Sequence, residues 1–360
     1  MKFKLAAGTN VGLIRQNNED NFVVCSDLST SNWLIPQVGD YADLGPYGAL
    51  LVVADGMGGA NAGEVASAIA VETIQSLFVP EQLEQAITSD KAIQEFMKDV
   101  VKTADLNILH HSHEDSTTQG MGTTVVMAWI FDGKVYVCWC GDSRCYVLNN
   151  RKGLIQLSKD HSYVQELVDK GQLDPELMHD HPLSNVITRC LGDVENRANP
   201  ETRIYQLHDG DLIMLCSDGL CGLCHDSEIH DVMTNFRDDA LECKNELISA
   251  AISAGGYDNV TVAVAAISIE NEAGEDSSEE AVAEEAPKED EATEEEELSN
   301  TIRSETIGRR NRGHILGRSL LLLVLLLIAA GIYIHFTMGF DAFQKEVVDV
   351  FDKITKNNNQ

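Results

Sequence analysis

An α+β domain with mainly antiparallel sheets and helices on the outside is the fold class that residues 1–269 predict, and three observations predict it. Short β-branched runs recur along the chain, and hairpin-type turns rather than βαβ crossovers join several of them. Only a few stretches with helical spacing lie between those runs. With 360 residues, 44% of them hydrophobic, the chain can bury a sizeable core.

Residues 1 to about 25 read as a strand, a turn, and a second strand near Phe22–Cys25, entered through RQNNED (Arg15–Asp20). Residues 26–46 are polar, with Pro36, Gly39 and Pro46, and read as a loop. Leu50–Gly59, LLVVADGMGG, reads as a buried strand that ends abruptly at Asp55, because the following glycines extend a strand poorly. An ordinary corner, with Asp55 capping a helix from near Gly63, fits the same residues. Val65, Ala68, Ile69 and Leu77 give that helix its apolar face, and residues 81–111 continue in helical spacing. Thr123–Phe131 and Lys134–Cys140 flank Asp132-Gly133, a hairpin signal. An irregular, partly helical insert from about Ser158 to Pro200 follows, then strands near Thr202–Leu207 and Asp211–Cys216. Helices near 226–233 and 239–254 precede a last strand, Val260–Ile267.

The formal net charge of −32 is unevenly spread: residues 270–298 hold 15 acids against one Lys, residues 299–360 carry +3, and residues 1–269 carry −21. Such a surface repels nucleic acid, and it repels phosphorylated substrates unless bound cations reverse the local field. Nine cysteines in apolar or helical settings, without framework spacing, read as reduced core thiols of a cytosolic domain. Cys221 and Cys224 form a CxxC with no second pair at zinc-ribbon spacing. The N-terminal residues lose apolar character at once, so no signal peptide is expected there.

Past Ile269 the composition changes. Residues 270–312 are acidic and nearly free of aromatics, the signature of a disordered linker that reaches on the order of 35 Å as coil. Residues 316–340 contain SLLLLVLLLIAAGIYI (Ser319–Ile334), apolar on all sides and long enough to cross a ~30 Å hydrocarbon core. Arg309, Arg310, Arg312 and Arg318 precede it, which places the large domain in the cytoplasm and residues 341–360, with an amphipathic spacing of their own, outside. The expected organisation is a single-pass membrane protein: domain 1–269, linker 270–312, span 316–340, tail 341–360.

Acids recur beside Gly, Asn or Ser at strand ends: Glu19 and Asp20 in NNED, Asp55 in ADGMGG, Asp142 in GDSR, Asp218 in CSDGL, and Asp258 in YDNVT. Each alone is ordinary turn chemistry. Brought together, the carboxylates would repel one another unless cations filled the space between them. Oxygen-only ligation suits Mg²⁺ or Mn²⁺, and a two-metal site makes hydroxide at neutral pH and clamps a phosphate ester for in-line attack.

In their order, RQNNED, ADGMGG, GMGTT, GDSRCYVL, LSKDHS, ITRCLG, MLCSDGL and DNVTV resemble the metal-dependent protein phosphatases (PPM, type 2C) in their bacterial form, over residues 8–268. The resemblance implies an α-β-β-α sandwich and hydrolysis of protein phosphoserine and phosphothreonine by a hydroxide bridging two Mn²⁺ or Mg²⁺ ions, in opposition to a Ser/Thr kinase. It implies that Asp55 bridges the two metals, with the Gly56 carbonyl on one and Asp218 and Asp258 on the other. Glu19 and Asp20 would act through metal-bound waters, Arg15 would hold the substrate phosphate, and Asp142 would join Asp218 at a third, weaker metal. Arg15 suits that role independently, since its planar fork matches phosphate oxygens.

Eukaryotic members carry a His within the DGxGG motif that is thought to protonate the leaving oxygen; here that position is Met57, which cannot donate a proton. His161 is a conceivable substitute, although a structural or flap role suits it better. Gly120–Thr124 and Arg144 read as structural support, the insert from Asp160 to Pro200 resembles the family's flap, and His110, His111 and His113 read as a solvated helix end. Of two other functions, a catalytically silent scaffold that binds phosphoproteins is argued against by the presence of Asp55, Asp218, Asp258 and Arg15, and a phosphatase of small phosphate esters is not excluded by the site residues alone.

Overall fold

The computed structural model describes residues 1–30, 33, 41–58 and 62–269. The strands, in chain order, are β1 (Lys2–Asn10), β2 (Asp20–Cys25), β3 (Ala42–Asp43), β4 (Ala49–Met57), β5 (Gly122–Thr123), β6 (Val125–Phe131), β7 (Lys134–Cys140), β8 (Arg144–Asn149), β9 (Gly153–Gln156), β10 (Glu201–Gln206), β11 (Leu212–Cys216) and β12 (Val260–Ser268). The helices are α1 (Gly63–Leu77), α2 (Pro80–Ala86), α3 (Asp90–Glu114), α4 (Tyr163–Asp169), α5 (Asp218–Cys221), α6 (Asp226–Asn235) and α7 (Ala240–Ser253).

One antiparallel sheet runs β3-β1-β12-β11-β8-β9, and the other runs β10-β7-β6-β4-β2 with β5 added to the end of β4. Period-two alternation sorts their side chains into three cores. Leu51 and Val53 of β4, Val126 and Ala128 of β6, Leu215 of β11 and Ala263 of β12 pack between the sheets. The alternate residues of β4 and β6 (Leu50, Val52, Val125, Trp129) face Ala66, Ile74, Phe78 and Met97 of the helical layer around α1–α3. On the far side, Met214, Val262 and Val264 pack against Leu220, Ile229 and Leu247 from α5–α7. The expected two-sheet sandwich flanked by helices is therefore present. All nine cysteines are free, and all but the partly exposed Cys190 are buried.

Several local expectations change. The strand through LLVVADGMGG does not stop at Asp55: β4 continues to Met57, because Gly56 and Met57 pair with Thr123 and Gly122 of β5. Asp55 does not cap α1, whose N-cap position is Ala62 without a side-chain bond. The helical stretch from 81 breaks in two, since Ser89 caps α3 by accepting the Ala92 N–H at 3.2 Å. The hairpin at Asp132-Gly133 is as expected, with φ of 46° and 71°, the positive pair of a type I′ turn. Strands β3, β8 and β9 were not foreseen: β3 and β9 are two and four residues long and only partly buried or exposed, whereas β8 is a buried six-residue strand.

Among the described residues no helix is long and apolar enough to cross a membrane. The linker 270–312, the apolar segment 316–340 and the tail 341–360 lie outside the described residues.

Candidate active site

At one end of the sandwich the inward-facing rows of both sheets change from apolar to polar. On β4 the row Leu51, Val53 continues to Asp55, and on β2 Val24 leads back through Phe22 to Asp20, which pairs in register with Asp55. From the other sheet, Leu215 leads to Ser217, Ala263 to Thr261, and Ala7 to Thr9. Like charges directly opposite one another destabilise a strand pair, so Asp20 facing Asp55 is a feature that packing alone would not produce. Asp218 opens α5 just after β11, Asp258 lies just before β12, and Asp142 sits in the passage from β7 to β8, where the chain changes sheets.

The polar neighbours hold these acids in place. Asp20 Oδ2 accepts from Ser217 Oγ at 2.7 Å and from Thr261 Oγ1 at 2.6 Å. Ser217 Oγ in turn accepts the Thr261 N–H at 2.9 Å, and the Thr9 and Thr261 hydroxyls lie 2.7 Å apart. The Asp55 carbonyl accepts from Thr124 N and Thr123 Oγ1, at 2.8 and 2.9 Å. Asn259 ties three segments together: Oδ1 accepts the Glu19 N–H at 2.8 Å, and Nδ2 donates to the carbonyls of Val11 and Asn17, both at 3.0 Å. Gly56 is required where it stands, since a Cβ there would collide with the carbonyls of Gly63 and Glu19.

The electrostatics are those of anions crowded together. Burial, then the charges of Asp218, Asp20 and Asp142, push the Asp55 carboxyl well above its ordinary range, and it shares a hydrogen bond with Asp218. Asp142 is raised likewise, by burial and then by Asp218 and Asp160. Burial and Asp258 raise Asp218, and burial raises Glu19. Asp20 is pushed up to about 7 by burial, against the opposing hydrogen bonds from Thr261 and Ser217. An all-oxygen donor set whose crowding and burial raise its members' pKa is what a hard divalent cation relieves, so the residues present fit Mg²⁺ or Mn²⁺.

Arg15 is the cation at the rim. Its side chain is half exposed, donating to Asp258 Oδ2 at 2.7 Å with Glu19 at 3.9 Å. A cavity of about 270 Å³ opens beside the acids, lined by Asp142, Asp218, Asp258, Asp160, His179 and Tyr257 among others. The structure thus brings all the sequence-singled residues Arg15, Glu19, Asp20, Asp55, Gly56, Asp142, Asp218 and Asp258 to one end of the sandwich.

Residues of the insert and its supports surround that cavity. Arg144 clamps Asp160 through Nε, at 3.0 Å to each oxygen, and Nη2 at 2.7 Å. His161 is buried and back-bonded to Gly141, whose N–H it accepts at Nδ1 (3.1 Å), while Arg189 and Glu201 lie 3.3 Å from Nε2. Burial lowers its pKa. Those ties make His161 a brace for the Gly141–Asp142 corner rather than a proton donor. The far end of the insert is tied to α3, where Asp105 accepts the Gly192 N–H at 2.8 Å and pairs with Arg197 at 2.7 Å. Sequence reasoning did not single out Ser217, Thr261, Asn259, Asp160 or Asp105. The signal for Ser217 and Thr261 was available: both extend an inward-facing apolar row by one more period of two.

Comparison with known proteins follows the same lines. The protein phosphatase 2C family matches residues 40–249. The serine/threonine phosphatase stp of Listeria monocytogenes serotype 4b (strain F2365) is 32% identical over 254 residues, which is 71% of this chain and 92% of that protein. Among solved structures, the serine/threonine phosphatase PstP/Ppp of Mycobacterium tuberculosis superposes with a TM-score of 0.61 at 30% identity, over 75% of this chain and 100% of that one. The PstP catalytic domain in complex with two manganese ions superposes with a TM-score of 0.58 at 29% identity, over 74% of this chain and 99% of that one.

Proposed function

This chain belongs to the protein phosphatase 2C family and is a protein serine/threonine phosphatase, and we propose that its acidic end is a two-metal hydrolytic centre for phosphoserine and phosphothreonine. The observation that carries the proposal is the crowding of Asp20, Asp55, Asp142 and Asp218, buried or half-buried, whose carboxyls are raised by burial and then by neighbouring acid charges. Asp55, the Gly56 carbonyl, Asp218 and Asp258 would hold two Mn²⁺ or Mg²⁺ ions, with Glu19 and Asp20 acting through intervening water and Asp142 with Asp218 serving a weaker third ion. When bound, such ions supply Lewis acidity: they make hydroxide available at neutral pH and offset phosphate charge in a domain of net −21.

The chain's own residues do the rest. Ser217 and Thr261 fix the direction of Asp20, and Asn259 fixes the backbone of Glu19. Arg15 can exchange its exposed partner Asp258 for a substrate phosphate at little cost, since half-exposed ion pairs contribute at most about 1 kcal/mol. The flap residue His179 stands at the cavity wall, where a peptide would pass. With Met57 in the strand and His161 engaged by Gly141, neither supplies the leaving group's proton, which falls to water or the substrate's surroundings.

We further propose that residues 316–340 anchor the enzyme to a membrane with its catalytic domain in the cytoplasm, on the strength of the apolar run and the preceding arginines. Its partners there would be phosphoproteins, namely a Ser/Thr kinase and the substrates of that kinase. Presence of the full acid set together with Arg15 gives no support to a silent scaffold.

The test is turnover of a phosphothreonine peptide by the purified chain. Activity should require Mn²⁺ or Mg²⁺ and stop on chelation, and Asp55→Asn should lower kcat by at least a thousandfold while circular dichroism stays unchanged. Metal-independent turnover, or near wild-type rates in the variant, would sink the proposal.

A further inference from the structure

A second cluster of metal-ligating side chains lies apart from the acidic centre. His179 and Asp180 follow the 3₁₀ turn Pro175–Leu177 in the flap, and His225 immediately precedes α6. Their rings meet with centroids 3.9 Å apart at 31°, and one donor atom from each of His179, Asp180 and His225 lies within 4.8 Å of the others. His179 Nδ1 is 3.2 Å from Asp180 Oδ1, while its Nε2 is buried and has no hydrogen-bond partner. A buried ring nitrogen without a partner is uncommon and costly, and a ligand would relieve it. With Nδ1 donating to Asp180, Nε2 carries the lone pair, the arrangement by which carboxylates orient metal-binding histidines.

We propose that the imidazoles of His179 and His225, with Asp180 orienting the His179 ring through Nδ1, form a nitrogen-donor site for Zn²⁺ or a related borderline divalent cation, which clasps the flap to the start of α6. Two imidazoles, with water completing the shell, are donors that favour Zn²⁺, Ni²⁺ or Cu²⁺, whereas the oxygen-only centre favours Mg²⁺ and Mn²⁺. Tetrahedral Zn²⁺ needs its donors about 3.3 Å apart, so the flap and the α6 loop draw in slightly on binding. His225 is also the N-cap of α6: its carbonyl accepts the Glu228 N–H and the Glu228 carboxylate accepts the His225 N–H, both at 2.9 Å, which leaves its ring uncommitted to the helix. Because His179 and the adjoining Met178 line the same cavity as Asp142 and Asp218, an ion here holds the flap against the cleft. Zn²⁺ bound there slows turnover without displacing the catalytic ions; this regulatory part rests on the phosphatase reading, and the binding part does not.

The experiment uses the full chain with its oxygen centre saturated by diamagnetic Mg²⁺. One equivalent of Cu²⁺ should show superhyperfine splitting from two imidazole nitrogens in electron paramagnetic resonance, and Zn²⁺ should bind with one-to-one stoichiometry by calorimetry. His179→Gln and His225→Asn, the latter keeping a good capping residue, should each weaken Zn²⁺ at least tenfold and remove the two-nitrogen pattern. The control His110→Ala/His113→Ala, on the exposed end of α3, should change neither. Unaltered binding in both flap-site variants, or loss of binding in the control, overturns the site. In the turnover arm, Zn²⁺ should inhibit the wild type and inhibit His179→Gln at least tenfold less. Site-specific binding without inhibition overturns the flap clasp, whereas a chain that binds Zn²⁺ here yet never turns over phosphopeptide with Mn²⁺ counts against the phosphatase reading instead.

Discussion

Asp20 stands under opposed influences: two hydroxyls stabilise its charged form, while burial and the facing acids push its pKa up to about 7. Asp55 is raised in the same sense, by burial and then by the charges of Asp218, Asp20 and Asp142. Carboxyls whose pKa is higher folded than unfolded take up protons on folding, so the stability they contribute is full below about pH 4 and is lost as pH rises through about 7. Metal-stripped protein should therefore lose several °C of Tm between pH 5 and pH 8, and Mn²⁺ should restore it; Asp55→Asn should flatten the metal-free profile, all read by differential scanning calorimetry. A second expectation concerns Asn259, which joins the segments around Val11, Asn17 and Glu19. Asn259→Ala should cost about 2 kcal/mol in urea unfolding and lower kcat, because the half-buried Glu19 N–H loses its acceptor and the link to the Val11 and Asn17 carbonyls is cut. The acids themselves were legible in the sequence, since Asp-Gly and Asp-Asn pairs after apolar runs mark strand ends. Asn259 was not, because an Asn in a turn gives no sign of which distant carbonyls it will reach.

Among the elements, the long helices and the strands of the central hairpins were legible from period alone, because their apolar rows are long and unbroken. The ends were less so. Extension of β4 through Gly56 and Met57 depends on a partner, β5, that is about 65 residues away in the chain and only two residues long. The break between α2 and α3 has a local cause in the Ser89 cap, which a helical reading of 81–111 passed over. Ser89→Ala should destabilise the domain by about 1 kcal/mol in thermal or urea unfolding and leave phosphopeptide turnover unchanged, as the cap lies on the outer helical layer. The flap was recognised as an insert, but its anchoring through Asp105 to Gly192 and Arg197 was not, since that bond joins residues about 90 positions apart.

For the whole molecule, sequence and structure divide the work: the described residues carry the proposed catalytic end, and the membrane proposal rests on composition beyond them. Protease added to intact cells or right-side-out vesicles should remove only about the last 20 residues, and digestion of the catalytic domain would reverse the proposed orientation. The sheet order carries a consequence for how such a chain is made. β12, the last strand of the domain to leave the ribosome, is inserted between β1, the first, and β11. Until it arrives, β1 has lost its main partner, the inner row that ends in Thr261 is missing, and Asp258 is not yet beside Arg15. Translation must therefore pass residue 268 before sheet packing or catalysis can be complete. A newborn chain of this enzyme stays inert until its final strand closes the first sheet.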